Sequence, residues 1–228
     1  GAAGARPQSA QIGAQADCVV AIGTELAEVD LWRAHLGHSC PLYRIDIDPE
    51  CLADMQRAEM GILARAEDAM ASLRPLMAAS ASQWQVKSVA HQRGLWRAET
   101  EAERPGIIAI VEALRAVVPD DAMIYSDMTQ FAYVANEVWP MTRAKHWHHP
   151  SGFGTLGYAL PAAIGGAVAR PGKPTLAIAG DYGFQYSVQE LGTVAELGLS
   201  LPILLWDNGL LKEIDGSMEA SQIAPVAI

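Results

Sequence analysis

The sequence predicts an α/β fold made of two parallel-sheet units, and three observations carry that expectation. Half of the 228 residues are hydrophobic and 18% are charged, enough apolar surface to offset the ordering entropy that leaves weakly apolar chains disordered. Strand-type and helix-type runs alternate over the first 80 residues, the pattern of parallel strands joined by crossover helices. The alternation stops in a polar stretch, Ala79 to Glu103, and resumes from Gly106. The length corresponds to about one and a half domains. The expected division is 1–80, a helical connector over 81–105, and a larger unit over 106–228.

Each element has a local reason. The apolar run Cys18 to Ile22 is bounded by Gly23, and Thr24 is expected to cap a following helix. "YRIDIDPE" alternates around Ile45 and Ile47 and stops at Pro49, which reads as a strand ending in acidic residues. "ARAEDAMASLRPLM" is a short helix. Beyond Pro105, Ile107 to Val118 is amphipathic, with Ile107, Ile110, Val111, Leu114 and Val118 expected on one stripe. Met123 to Tyr125 is a strand and Met128 to Val138 a helix. Leu156 to Arg170 is rich in Ala and Gly, so a helix there packs closely on something flat. Thr175 to Ala179 and Leu201 to Trp206 are strands, followed by helices over Ser187 to Leu197 and Leu211 to Ala220.

Composition narrows the function. With 16 Lys and Arg against 26 Asp and Glu, the formal charge is −10, a poor match to nucleic acid, whose backbone requires clustered cations. An anionic ligand must then be held by backbone N–H groups or a bridging metal. No run reaches the roughly 18 apolar residues of a membrane span. No basic segment followed by an apolar core opens the chain, so the expectation is a cytoplasmic protein. Cys18, Cys40 and Cys51 form no C-x-x-C pair and read as reduced thiols. The chain opens at Gly1 without Met and stops inside the apolar run Ile223 to Ile228, so both ends are expected to be cut.

Three segments carry chemistry. "GDYGF", Gly180 to Phe184, follows the strand "TLAIA"; "WDNG", Trp206 to Gly209, follows "LPILL"; and "SGFGTLGYALPAAIGGA", Ser151 to Ala167, is a Gly-rich turn running into a helix. Singly, each is an ordinary turn or a tightly packed helix. Together, the first two place Asp181 and Asn208 at the carboxyl ends of adjacent strands, where open parallel sheets bind ligands. Both are hard oxygen ligands, and the carbonyl of Leu210 can supply a third. Mg²⁺ favours near-octahedral oxygen coordination and takes its remaining ligands from phosphate and water. An acidic protein can hold a diphosphate in this way, with helix N-termini adding N–H donors.

The spacing resembles that of the thiamine diphosphate enzyme superfamily, the group of pyruvate decarboxylase and acetolactate synthase, whose motif is GDG followed at an interval by NN. Asn208 stands 27 positions after Asp181. The resemblance implies that Asp181, Asn208 and the carbonyl of Leu210 bind Mg²⁺, and that Gly180, Tyr182, Gly183 and Phe184 lie at the cofactor. Aligning "GYALPAAIGGA" with the family's G-x-x-x-P-A-A-x-G run puts Leu156 at the bulky aliphatic position that wedges beneath the cofactor and forces its V shape. Gly154 then offers its carbonyl to the cofactor's 4′-amino group, with Thr155 between them. The fold implied is a partial Rossmann-like central domain over 1–80, carried by "ADCVVAIGTEL" and "YRIDIDPE", then a diphosphate-binding domain over 106–228. The activity implied is decarboxylation of a 2-oxo acid. "GDYGFQYSVQELGTVAELGLSLPI" resembles a subgroup that includes 5-guanidino-2-oxopentanoate decarboxylases, with an acetolactate-synthase-like carboligase as the other reading.

Two positions depart from the motif. Tyr182 replaces the third Gly of GDG, so Gly183 is expected to take over in a slightly shifted loop. Asp207 replaces the first Asn of NN and adds negative charge beside the diphosphate. His146, His148 and His149 are open to three readings: a transition-metal site, a polar group above the thiazolium, or solvated and locally satisfied side chains. Asp127 either caps a helix or faces the cofactor. Trp206 is expected in the core. The superfamily's catalytic glutamate comes from a pyrimidine-binding domain of a second subunit, and these 228 residues hold no candidate for it. The resemblance therefore implies a homodimer or homotetramer as parent protein. The chain alone is expected to be inactive, either a fragment or a subunit completed in trans.

Overall fold

A computed structural model describes residues 2–54, 56–78 and 84–226. The boundary expected at residue 80, the first three residues of the 81–105 connector and the last two of the terminal apolar run lie outside them. The chain divides into two compact units, Gly1–Trp96 and Arg97–Ile228. Each contains a wholly parallel sheet flanked by helices, so both are α/β.

The first unit begins with α1 (Pro7–Gly13), which has Pro at its first position, where no N–H is needed. Its sheet joins β1 (Val19–Ile22), β2 (Leu42–Asp46) and β3 (Met60–Leu63) in that order, with Ile22 opposite Ile45 and Ile45 opposite Ile62. The helix expected at Thr24 is delayed. Thr24 Oγ1 accepts from Leu26 N–H in a local turn, and α2 starts later, over Glu28–Leu31. The short side chain satisfies the turn instead of a helix end. Asp48 caps α3 (Pro49–Leu52) by accepting from Glu50 N–H at 2.9 Å. Beyond β3, which had no clear sequence signal, α4 spans Ala66–Leu73. Arg44 on β2 is 1% exposed, and its guanidinium donates to the carbonyls of Thr24 and Glu25 and pairs with Asp54. A buried guanidinium needs such a complete partner set.

The helix α5 (Val86–Glu103) spans the division between the units. In the second unit α6 (Ile107–Val117) buries Ile107, Ile108 and Val111, while Ile110 is 45% exposed and not on the inner stripe. A helix advances about 100° per residue, so a face centred between Ile108 and Val111 turns Ile110 outward. The strands β4 (Met123–Ser126), β5 (Trp147–His148), β6 (Thr175–Gly180) and β7 (Ile203–Trp206) form one sheet in the order β5-β4-β6-β7. Between them come α7 (Gln130–Val138), α8 (Ala159–Ala169), α9 (Asp181–Gln185) and α10 (Leu191–Glu196), and α11 (Lys212–Ala220) follows β7. Thr129 caps α7 by accepting from Ala132 N–H at 3.0 Å. The core gathers Ile108 and Val111 of α6, Phe131 and Val134 of α7, and Ile124 and Ile178 of the sheet. Full burial of each such side chain contributes about 1.5–3 kcal/mol.

The helix expected from Leu156 begins only at Ala159. Gly157 sits at φ +81°, and Asp127 takes the N–H groups of Gly157 and Ala159. The helix expected over Ser187 to Leu197 is a 3-10 turn followed by α10, and the GDY segment itself opens a short helix. Among the described residues no helix is long and apolar enough to cross a membrane.

Candidate functional site

Connections leave the central strands β4 and β6 toward opposite sides of the sheet, so a crevice opens between their carboxyl ends. Parallel sheets bind ligands at such a reversal of strand order. A cleft of about 280 Å³ lies there, lined by residues that follow β4, β6 and β7 and by the Gly154 loop. It brings together Gly154, Leu156, Gly180, Asp181, Tyr182, Gly183, Asn208 and Leu210. Thr155 and Phe184 do not line it. Thr155 is exposed and donates to the Leu156 carbonyl, and Phe184 is half-buried beside the cleft.

Asp127 shapes the wall. Its side chain is 1% exposed, with Oδ2 accepting from Gly157 N–H at 3.0 Å and Oδ1 from Ala159 N–H at 2.8 Å. Of the two readings of Asp127, the capping one describes these bonds, since its carboxylate closes the N-terminus of α8. Burial pushes its carboxyl above the ordinary range, opposed by the N–H groups of Ala159, Gly157 and Tyr158. Gly183 packs on the same carboxylate: a Cβ there would lie 2.5 Å from Asp127 Oδ2. Gly154, at φ +62°, holds the turn that carries Leu156.

On the opposite side, Asp181 Oδ1 accepts from Tyr182 N–H at 3.0 Å and Oδ2 from Gly209 N–H at 2.9 Å. The N–H of Tyr182 is thus engaged within the loop. Gly209 N–H also donates to Asp207 Oδ1 at 3.1 Å, which turns that carboxylate into its own loop. Asn208 Oδ1 accepts from Leu210 N–H at 3.4 Å. The donor set of carboxylate, amide oxygen and backbone carbonyl is hard and oxygen-only, and suits Mg²⁺ with phosphate and water completing the shell. These residues fit a metal-bridged diphosphate.

Further cleft residues escaped sequence reasoning: Met128, Thr129, Gln130, Tyr133, Lys212 and Glu213. Their signal is positional, because "DMTQ" directly follows β4, the strand at the reversal of order. Arg104, at the end of the connector, clamps Glu213 with Nε to Oε1 at 3.0 Å and Nη2 to Oε2 at 2.9 Å, and lies over the Tyr133 ring. Burial pushes the Glu213 carboxyl up, but the Arg104 hydrogen bond and charge, the neighbouring Gln130 amide and the Lys212 charge outweigh it, and it sits below the ordinary range. Trp206 tilts on Phe131 at 5.7 Å and packs on the core as expected, while also lining the cleft.

The histidines converge on nothing. His146 Nδ1 contacts the Ala144 carbonyl, His148 stacks on Tyr125 at 4.8 Å, and His149 Nδ1 meets Ser126 Oγ at 2.9 Å. Among the described residues no group of three or more His, Cys, Asp or Glu could hold a metal, which overturns the transition-metal reading. None of the three lines the cleft. The three cysteines are free.

A parallel sheet with a cleft at its order reversal, bordered by Asp181 and Asn208, has the arrangement of a ligand-binding α/β domain. Residues 127–225 match the family model of the thiamine pyrophosphate enzyme C-terminal TPP binding domain. Residues 127–225 are thereby identified with this domain of thiamine diphosphate enzymes, whose cofactor is thiamine diphosphate, and the chain as a whole is similar to enzymes of that superfamily. It is 38% identical over 218 residues to a probable 2-ketoarginine decarboxylase, AruI, of Pseudomonas aeruginosa, covering 94% of this chain and 39% of that protein. It is 29% identical over 202 residues to the acetolactate synthase isozyme 1 large subunit of Escherichia coli, covering 86% of this chain and 36% of that one. To the isozyme 3 large subunit of the same organism it is 28% identical over 213 residues, covering 87% and 37%. The chain thus spans well under half the length of these relatives.

Proposed function

We propose that the parent protein is a thiamine diphosphate- and Mg²⁺-dependent decarboxylase acting non-oxidatively on a 2-oxo acid, with 5-guanidino-2-oxopentanoate as substrate. The observation that carries this reading is the meeting of the Gly154 loop, Asp181 and Asn208 in one cleft. Asp181, Asn208 and the carbonyl of Leu210 would hold Mg²⁺. Gly180, Tyr182 and Gly183 would border the diphosphate, with Thr155 and Phe184 just outside. Leu156 would orient the two rings from below, and the Gly154 carbonyl would accept a hydrogen bond from the cofactor's amino group. The bound cofactor supplies the electron sink for loss of CO₂, and the chain supplies orientation and electrostatics.

The choice of substrate rests on the relative at 38% identity and on the resemblance of the segment that begins at Gly180. A carboligase reading is favoured by the acetolactate synthase relatives at 29% and 28%. Both readings place the catalytic glutamate in a pyrimidine-binding domain of a second subunit, so the parent protein would be a homodimer or homotetramer working in the cytoplasm. The present chain would need that domain in cis or in trans.

Calorimetry with thiamine diphosphate tests the site. Binding should require Mg²⁺ and should be lost in Asp181→Ala and Asn208→Ala. Unchanged binding in both variants would overturn the metal assignment.

A further inference from the structure

Asn208 donates from Nδ2 to Gln130 Oε1 at 3.1 Å, which leaves the Nε2 end of Gln130 to the neighbouring carboxylate of Glu213. Glu213 is anchored by the two-pronged contact with Arg104. These residues form a row from the end of the connector to the candidate metal ligand, all within the second unit.

The row has a direction. The two ends of an amide differ only by hydrogen bonding, one donating and the other accepting. An ionised carboxylate can only accept, so Gln130 must turn Nε2 toward Glu213. Its Oε1 then faces Asn208, which must answer with Nδ2. That leaves Asn208 Oδ1 on the far side, where it already accepts from Leu210 N–H and keeps a second lone pair. Reversing either amide would present an NH₂ group to the cation, which binds oxygen and is repelled by N–H donors.

We propose that Glu213, held by Arg104, is a positioning residue that sets the polarity of the Gln130–Asn208 pair, so that Asn208 offers oxygen to a divalent cation. This rests on the metal assignment proposed above. Its content is separate: Glu213 and Arg104 act on the ligand through Gln130 without touching the metal themselves.

The test is Mn²⁺ affinity of the 228-residue chain in saturating thiamine diphosphate, by calorimetry and electron paramagnetic resonance, with thermal melts to establish folding. Glu213→Gln permits either amide orientation and should weaken Mn²⁺ binding by roughly 3- to 10-fold, the effect of about one hydrogen bond. In an Asn208→Asp background the sign should reverse. There a carboxylate stands at each end of Gln130, whose single NH₂ serves only one of them, and Glu213→Gln relieves the conflict and strengthens binding. A purely packing role predicts the same loss in both backgrounds, and that result, or no loss in either, overturns the proposal. Arg104→Gln is the second probe, in case Glu213→Gln fails to fold. It should weaken Mn²⁺ binding in the Asn208 chain, and unchanged affinity counts against the relay. Asp181→Ala and Asn208→Ala separate the two layers. If neither affects Mn²⁺ binding, or the unaltered chain binds none, the metal assignment falls and the relay with it. If both abolish binding but the sign does not reverse, the relay alone is wrong.

Discussion

At Asp127 one carboxylate meets two backbone N–H groups and the α-carbon of a glycine within a few ångströms. Gly157, Ala159 and Gly183 all depend on that buried group. Asp127→Asn keeps the shape but offers one acceptor where two are used, and turns an NH₂ toward a backbone N–H. The expected cost is about 1–3 kcal/mol, the penalty of an unsatisfied buried donor. The pH dependence follows from linkage. The folded carboxyl titrates above its ordinary 3.8, so between those two values the folded state binds more protons than the unfolded one. That contribution favours folding at low pH and is lost as pH rises through the folded pKa. The stability gap between the unaltered protein and Asp127→Asn should therefore narrow as pH increases from about 4. Urea titrations of both proteins across that range check it, and a widening gap contradicts the assignment.

At the level of elements, the close approach of α8 to β4 positions the Gly154 loop. Gly166 lies against the Tyr125 ring, where a Cβ would fall 2.4 Å from Cε2. Tyr125 is itself stacked on His148, so the ring has little room to yield. Gly166→Ala should cost about 1–3 kcal/mol, the usual price of overpacking, although alanine is the better helix former. The neighbouring Gly165 has open space at its Cβ position, and Gly165→Ala should be neutral or stabilising by up to about 1 kcal/mol. Comparison of the two melting temperatures is the measurement. Equal shifts would mean that the α8–β4 approach is not as close as described.

For the whole molecule, the second unit holds the cleft and the first holds its own three-stranded sheet. Purified as 228 residues, the chain is expected to bind thiamine diphosphate with Mg²⁺ and to show no turnover of 2-oxo acids. Adding a glutamate-bearing pyrimidine-binding domain should restore CO₂ release. Robust turnover by the chain alone would refute this division of labour.

Two parallel α/β units and the three loops at strand ends were legible in the residues, because strand period, Gly-rich turns and Asp/Asn placement are local patterns. Asp181 and Asn208 could be placed at the ends of neighbouring strands from local pattern, while their pairing as ligands is what the family resemblance implies. Other features were not legible. The late start of α8 depends on a carboxylate some 30 positions upstream. Thr24 turned to its own loop, and Ile110 faced outward once α6 chose its neighbours. The histidines looked like a cluster in sequence but point to separate partners in space. The direction of the Asn208 amide depends on Gln130, Glu213 and Arg104, contributed by three segments far apart in the chain. The sequence by itself determined which loops reach the carboxyl ends of the second sheet, because local backbone geometry is written in consecutive residues. Only the tertiary structure decided how the side chains on those loops are aimed, because hydrogen-bond direction is set by whatever partner the fold brings to the other end.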